Sequence, residues 1–164
     1  MLLAVAAFLY LAVISVVLAL ADLRTRTLPD VVVLPSYAVA AVLLGLAGGL
    51  DGDWQGPTRA AIGSVALLLC YAAIALAAPG VMGFGDVKLA GVLGIYLGFL
   101  GWGPLVVGGV AAFVLGGLFG VGLLIAGRAS RGSGIPFGPW MLAGTWLGTA
   151  AGGQIASWYA GLLG

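Results

Sequence analysis

The ionisable side chains of this chain are five aspartates, six lysines plus arginines, five tyrosines and one cysteine, with no glutamate and no histidine. Without histidine, a Ser-His or Cys-His nucleophile pair cannot be built, nor an HExxH zinc site. The lone Cys70 can form neither an internal disulfide nor a thiolate cage, and its place in an apolar run reads as a small buried hydrophobe. Any chemistry must therefore rest on Asp, Lys or Tyr. Two aspartates stand out by position. Asp22 follows a long apolar run, and Asp86 sits in GFGDVK, residues 83–88, just before another.

Paired carboxylates can activate water, one ionised and taking a proton, the other protonated and giving one up. If the run before Asp22 and the run after Asp86 are helices crossing in opposite directions, both acids fall at one end. Proximity alone would then push their titrations apart. A helix N-terminus favours the ionised form and a C-terminus the protonated one. That argument makes Asp86 the base and Asp22 the proton carrier. The plainer reading has Asp86 capping its helix and Asp22 pairing with Arg24 or Arg26 on a wet loop. Gly83 and Gly85 leave room for a peptide backbone beside the carboxylate, although two glycines before an Asp also describe an ordinary turn.

The elements that must place these residues are set by composition. The chain is 63% hydrophobic and 7% charged, with mean hydropathy +1.24, against roughly 25% charge in a soluble domain. It has too little polar surface for a globule in water and must be solvated by lipid. A net charge of +1 gives no reason to expect nucleic acid as a partner. A bilayer core takes about 20 helical residues to cross. Six stretches qualify, residues 2–21, 31–50, 59–78, 87–103, 105–127 and 139–162, so the expectation is an all-α protein with six transmembrane helices in a single domain, 1–164. Pro- and Gly-rich breaks separate them, and Asp30 is placed to cap the second.

Basic residues give the orientation. Arg24, Arg26, Lys88, Arg128 and Arg131 belong to the odd loops, and only Arg59 to an even one. The positive-inside bias puts the odd loops, with Asp22, Asp30 and Asp86, in the cytoplasm and both termini on the other side. Ala19-Leu20-Ala21 has the form of a signal-peptide cleavage site, but residues 1–10 carry no basic residue and Arg24 and Arg26 resist translocation. The first helix is expected to stay. Glycine recurs at spacings of four, at Gly45/Gly49, Gly94/Gly98, Gly116/Gly120 and Gly144/Gly148/Gly152. Such faces let helices approach closely in lipid, within the chain or between copies in a homo-oligomer.

Three motifs in order, DLRTRTLPD after the first helix, GFGDVK before the fourth and IPFGPW before the last, resemble the type IV prepilin peptidases. These are GxGD-class intramembrane aspartyl proteases, and the resemblance runs from about residue 2 to 162. It implies that Asp22 and Asp86 are the catalytic pair, with Gly83, Gly85, Lys88, Pro136 and Gly138 in support. Phe137 belongs to the same IPFG turn. Lys88 would steady Asp86 or anchor its helix at the interface, and Asp30 fills a slot that suits a cap. The implied substrate is a prepilin or pilin-like precursor whose short basic leader is cut before an apolar helix. Such leaders stay cytoplasmic, which agrees with the topology. The implied setting is the plasma membrane of a prokaryote, and the chemistry is hydrolysis by Asp-activated water without metal or cofactor.

Longer members of that family carry a segment with paired CxxC motifs and also N-methylate the new terminus. With one cysteine, this chain resembles the short form of tight-adherence and archaeal preflagellin peptidases, so methyl transfer is not expected. Three other readings use the same residues. The aspartates could relay protons or bind a cation in a transporter or channel. The Gly-rich faces could bind pilin-like helices without catalysis. Lys88 could activate Ser130 or Ser133 from another loop.

Overall fold

The computed structural model describes residues 1–78, 82–127 and 136–163. Arg128, Ser130, Arg131 and Ser133, which entered the loop-charge and Ser–Lys readings, lie outside them. Six helices follow one another: α1 (Leu2–Thr25), α2 (Asp30–Asp51), α3 (Gln55–Ala77), α4 (Phe84–Leu100), α5 (Trp102–Ile125) and α6 (Gly138–Leu163). Each of the six expected stretches is a helix, and most ends differ by a few residues. Charge and glycine stop a hydropathy window but not a backbone, so α1 runs on through Asp22 to Thr25. Among the described residues, α1, α2, α3 and α5 are long and apolar enough to cross a membrane.

α4 is the hub, packing against α2, α3, α5 and α6. It is apolar on all sides, as a helix enclosed by others must be, and every residue from Leu89 to Gly98 is buried. Glycine makes that enclosure possible. A β-carbon on Gly94 would strike the Gly63 carbonyl of α3, and one on Gly98 would strike the Arg59 carbonyl. In the α5–α6 pair, a β-carbon on Gly144 would come within 2.6 Å of the Ala112 nitrogen, and one on Gly152 within 2.6 Å of Pro104 Cα. These four-spaced glycines are thus used inside the chain. Gly45 is different, with nothing within 4 Å of the same construction.

α1 packs on α2 and α6 and touches α4 through Phe8, edge-on to Tyr96 with ring centroids 5.4 Å apart. The end of α1 and the starts of α2, α4 and α6 thereby gather at one end of the bundle. Two expectations need correction. Cys70 is exposed on the outside of α3 rather than buried, because only one face of that helix turns to α4. Asp30 does not cap α2: Pro29 holds the cap position with extended φ, no side chain caps there, and the Asp30 carboxylate is drawn to a cation on α4 instead.

Candidate active site

The start of α4 is shaped by Asp86 itself. As the third residue of the helix it reaches back, and its Oδ2 accepts the Gly83 N–H at 3.2 Å. That contact satisfies one of the donors a helix N-terminus leaves unpaired. Gly83 has φ −80° and ψ 152°, ordinary extended backbone, so its glycine is not demanded by conformation. Nor is it demanded by crowding, since a β-carbon there would sit 3.6 Å from the carboxylate. Gly85 is tighter, with its β-carbon position 3.2 Å from Leu28 Cβ.

Asp22 lies in the last turn of α1 and is only 4% exposed. Its Oδ2 accepts the N–H of Gly138, the first residue of α6, at 2.9 Å. The carboxylate at the C-terminal end of its own helix therefore faces the N-terminal end of another, whose amide offsets part, but not all, of the cost of burying a charge there. A β-carbon on Gly138 would stand 2.8 Å from that same oxygen, so the approach requires glycine. The turn before it is wedged in place. Phe137 packs against Phe113 and Tyr71, with centroids 5.3 and 6.3 Å apart, and a β-carbon on Gly116 would come within 2.8 Å of its ring.

Asp22 and Asp86 line one cavity of about 440 Å³. The connection between α1 and α2 supplies Arg26, Thr27 and Leu28 to its wall, and the start of α4 supplies Phe84 and Gly85 with the preceding Gly83. Burial, above all, and then the negative charge of Asp22 push the Asp86 carboxyl up to about 6, against the lowering effect of the Gly83 N–H. The dipole of α4 alone argued for an ionised Asp86; desolvation and the neighbouring charge act more strongly in the opposite sense.

Lys88 does not pair with Asp86. Its Nζ donates to both oxygens of Asp30, at 2.9 and 2.8 Å, and its carbonyl accepts the Tyr37 hydroxyl at 2.6 Å. Two residues of α2 thus hold the first turns of α4. Both members of the Asp30–Lys88 pair also line the cavity. Asp22, Asp86, Gly83, Gly85 and Lys88 are therefore brought to one place, and Gly138 reaches it through its N–H. Pro136 is two residues before Gly138 in the Phe137 turn. Sequence reasoning missed Leu28 and Tyr37, whose neutral side chains carry no chemical signature and whose contacts are remote in the chain, and Thr27, which lines the cavity while bonding to its neighbour Thr25.

A model of the type IV leader peptidase family matches residues 9–121. The chain belongs to that family. The match takes in both aspartates and most of α1 to α5, and it agrees with a membrane-embedded helical peptidase. No curated protein and no solved structure gives a match.

Proposed function

We propose that this peptidase is an aspartic endopeptidase in which Asp22 and Asp86 act as one dyad. The observation that carries the reading is the cavity they share, with one carboxylate at the end of α1 and the other at the start of α4. Burial raises both carboxyls, that of Asp22 against the lowering effect of the Gly138 N–H; Asp86, pushed up to about 6, holds the one proton the pair shares, and Asp22 acts as the base. Water between them gives a proton to Asp22 as its oxygen adds to the scissile carbonyl, while Asp86 protonates the carbonyl oxygen. Collapse of the tetrahedral species returns a proton to the departing nitrogen as the C–N bond breaks. The two acidities belong to the coupled pair and not to either residue alone. Gly83, free of steric demand, leaves clearance for the substrate backbone, and Gly85, Lys88, Pro136 and Gly138 position the dyad.

The substrate we infer is a prepilin or pilin-like precursor, cut between a short basic leader and an apolar helix. In this reading the apolar stretch of each of the six helices spans the membrane, with Asp22 and Asp86 just outside the spans of α1 and α4. The dyad end, with Arg24, Arg26 and Lys88, faces the cytoplasm of a prokaryote, and both termini face away. A charged leader in water joined to an apolar stalk in lipid places its scissile bond at the depth of helix ends, where both carboxylates sit.

The test is leader release from a synthetic peptide, a basic leader followed by an apolar helix, by protein purified in detergent. Asp22→Asn and Asp86→Asn should each lose at least about a hundredfold in kcat, the scale of acid–base catalysis, with unchanged helicity. Cleavage at the wild-type rate by either variant would remove the dyad. Ion flux through reconstituted protein that leaves the peptide intact would favour the transporter reading instead.

A further inference from the structure

We propose that Leu28 selects the side chain admitted beside the scissile bond. The proposal rests on the dyad reading above. Leu28 comes from the connection between α1 and α2, yet it touches the backbone on which both carboxylates depend. A β-carbon built on Gly85, next to Asp86, would lie 3.2 Å from Leu28 Cβ. One built on Gly138, whose N–H is bound by Asp22, would lie 3.4 Å from Leu28 Cδ2. The side chain is half-buried and lines the same cavity as the two acids.

The chain on either side of Leu28 is tied by local contacts. Arg26 adopts a left-handed conformation, φ 54°, and its N–H donates to the Asp22 carbonyl at 2.8 Å. The Thr25 and Thr27 hydroxyls are 2.9 Å apart, and Pro29 fixes the chain as it enters α2. The Leu28 side chain itself packs against the hydrophobic core, which limits its room to step aside. A peptide carbonyl placed between Asp22 and Asp86 brings the side chain on one flank of the scissile bond against its isobutyl group. A small side chain fits there and a large apolar one collides. Shape discrimination of this kind is worth about 10- to 200-fold per methylene-sized difference.

The experiment uses synthetic leader–helix peptides with Ala or Leu at each of the two positions flanking the scissile bond in turn. Wild type, Leu28→Ala, Leu28→Val and Leu28→Met are compared by kcat/KM. Wild type should prefer Ala over Leu at one flank by at least about tenfold. Leu28→Ala should bring that ratio to within about threefold by speeding the Leu peptide, with Leu28→Val between and Leu28→Met close to wild type. An unchanged ratio, or equal slowing of both peptides, would overturn the proposal and leave Leu28 as packing. If Leu28→Ala does not fold, the ratio measured for Leu28→Val decides. Failure of the dyad itself looks different: Asp86→Asn would then cleave as wild type does, or wild type would cleave no peptide and both proposals would fall together.

Discussion

At Gly94 a β-carbon would strike the carbonyl of Gly63 across two helices, whereas at Gly83 the nearest atom is Asp86 Oδ2, 3.6 Å away. The first glycine belongs to the shaft of the bundle, where α3 and α4 touch backbone to backbone. The second belongs to the polar end, where no part of the protein needs the space. Neither owes its glycine to a positive φ, since among the described residues those glycines are Gly52, Gly101 and Gly127. The shaft spends its glycines on close packing, and the polar end keeps one as clearance. A residue type rich in one sequence thus has two distinct physical uses, told apart only by what lies opposite.

The sharpest way to break that contrast is to add one methyl group at each place. Gly94→Ala should destabilise the protein by at least about 1–3 kcal/mol through overpacking against backbone that cannot yield. Gly83→Ala should stay within about 0.5 kcal/mol and instead lower kcat/KM for the peptide. Thermal unfolding in detergent, run beside the cleavage assay, checks both. Equal melting losses at the two sites would erase the distinction.

The polar end should also respond to pH where the shaft does not. With its carboxyl raised to about 6, folded Asp86 keeps a proton that the unfolded chain loses near pH 3.9. The folded state then binds more protons between about pH 4 and 6, so stability falls as pH rises through that window and levels off above it. Asp86→Asn should reduce the slope, leaving the part that comes from the buried Asp22 carboxyl, and melt higher than wild type at pH 7, while Gly94→Ala should keep the slope. A wild-type melting temperature that rises from pH 4 to 6 would contradict the raised carboxyl. The smallest effect is expected at the Asp30–Lys88 pair, whose side chains are 53% and 41% exposed. Lys88→Met should cost no more than about 1 kcal/mol and lower cleavage by less than about tenfold. A hundredfold fall with an unchanged melting temperature would make Lys88 part of the chemistry.

Much of this arrangement could be read from the chain. Long apolar runs broken by Pro, Gly and charge gave six helices, and opposite helix directions put Asp22 and Asp86 at the same end. What escaped was non-local. Asp30 looked like a cap because a cap is decided by its own next residues, but its carboxylate goes to Lys88, far along the chain. Asp22 looked like an acid at a helix C-terminus, and only packing reveals that α6 presents its N-terminus there. Leu28 and Tyr37 carry no charge or spacing that marks them, so their contacts with Gly85 and the Lys88 carbonyl become visible only in three dimensions.

The hydrogen bond from Gly138 to Asp22 ties the last helix to the first, and it lies past the stretch that the family model matches. A chain trimmed to that stretch would keep both acids and lose the amide that serves one of them. Such a fragment would still look like a member of its family, yet its first carboxylate would have nothing from α6 to hold its charge in place.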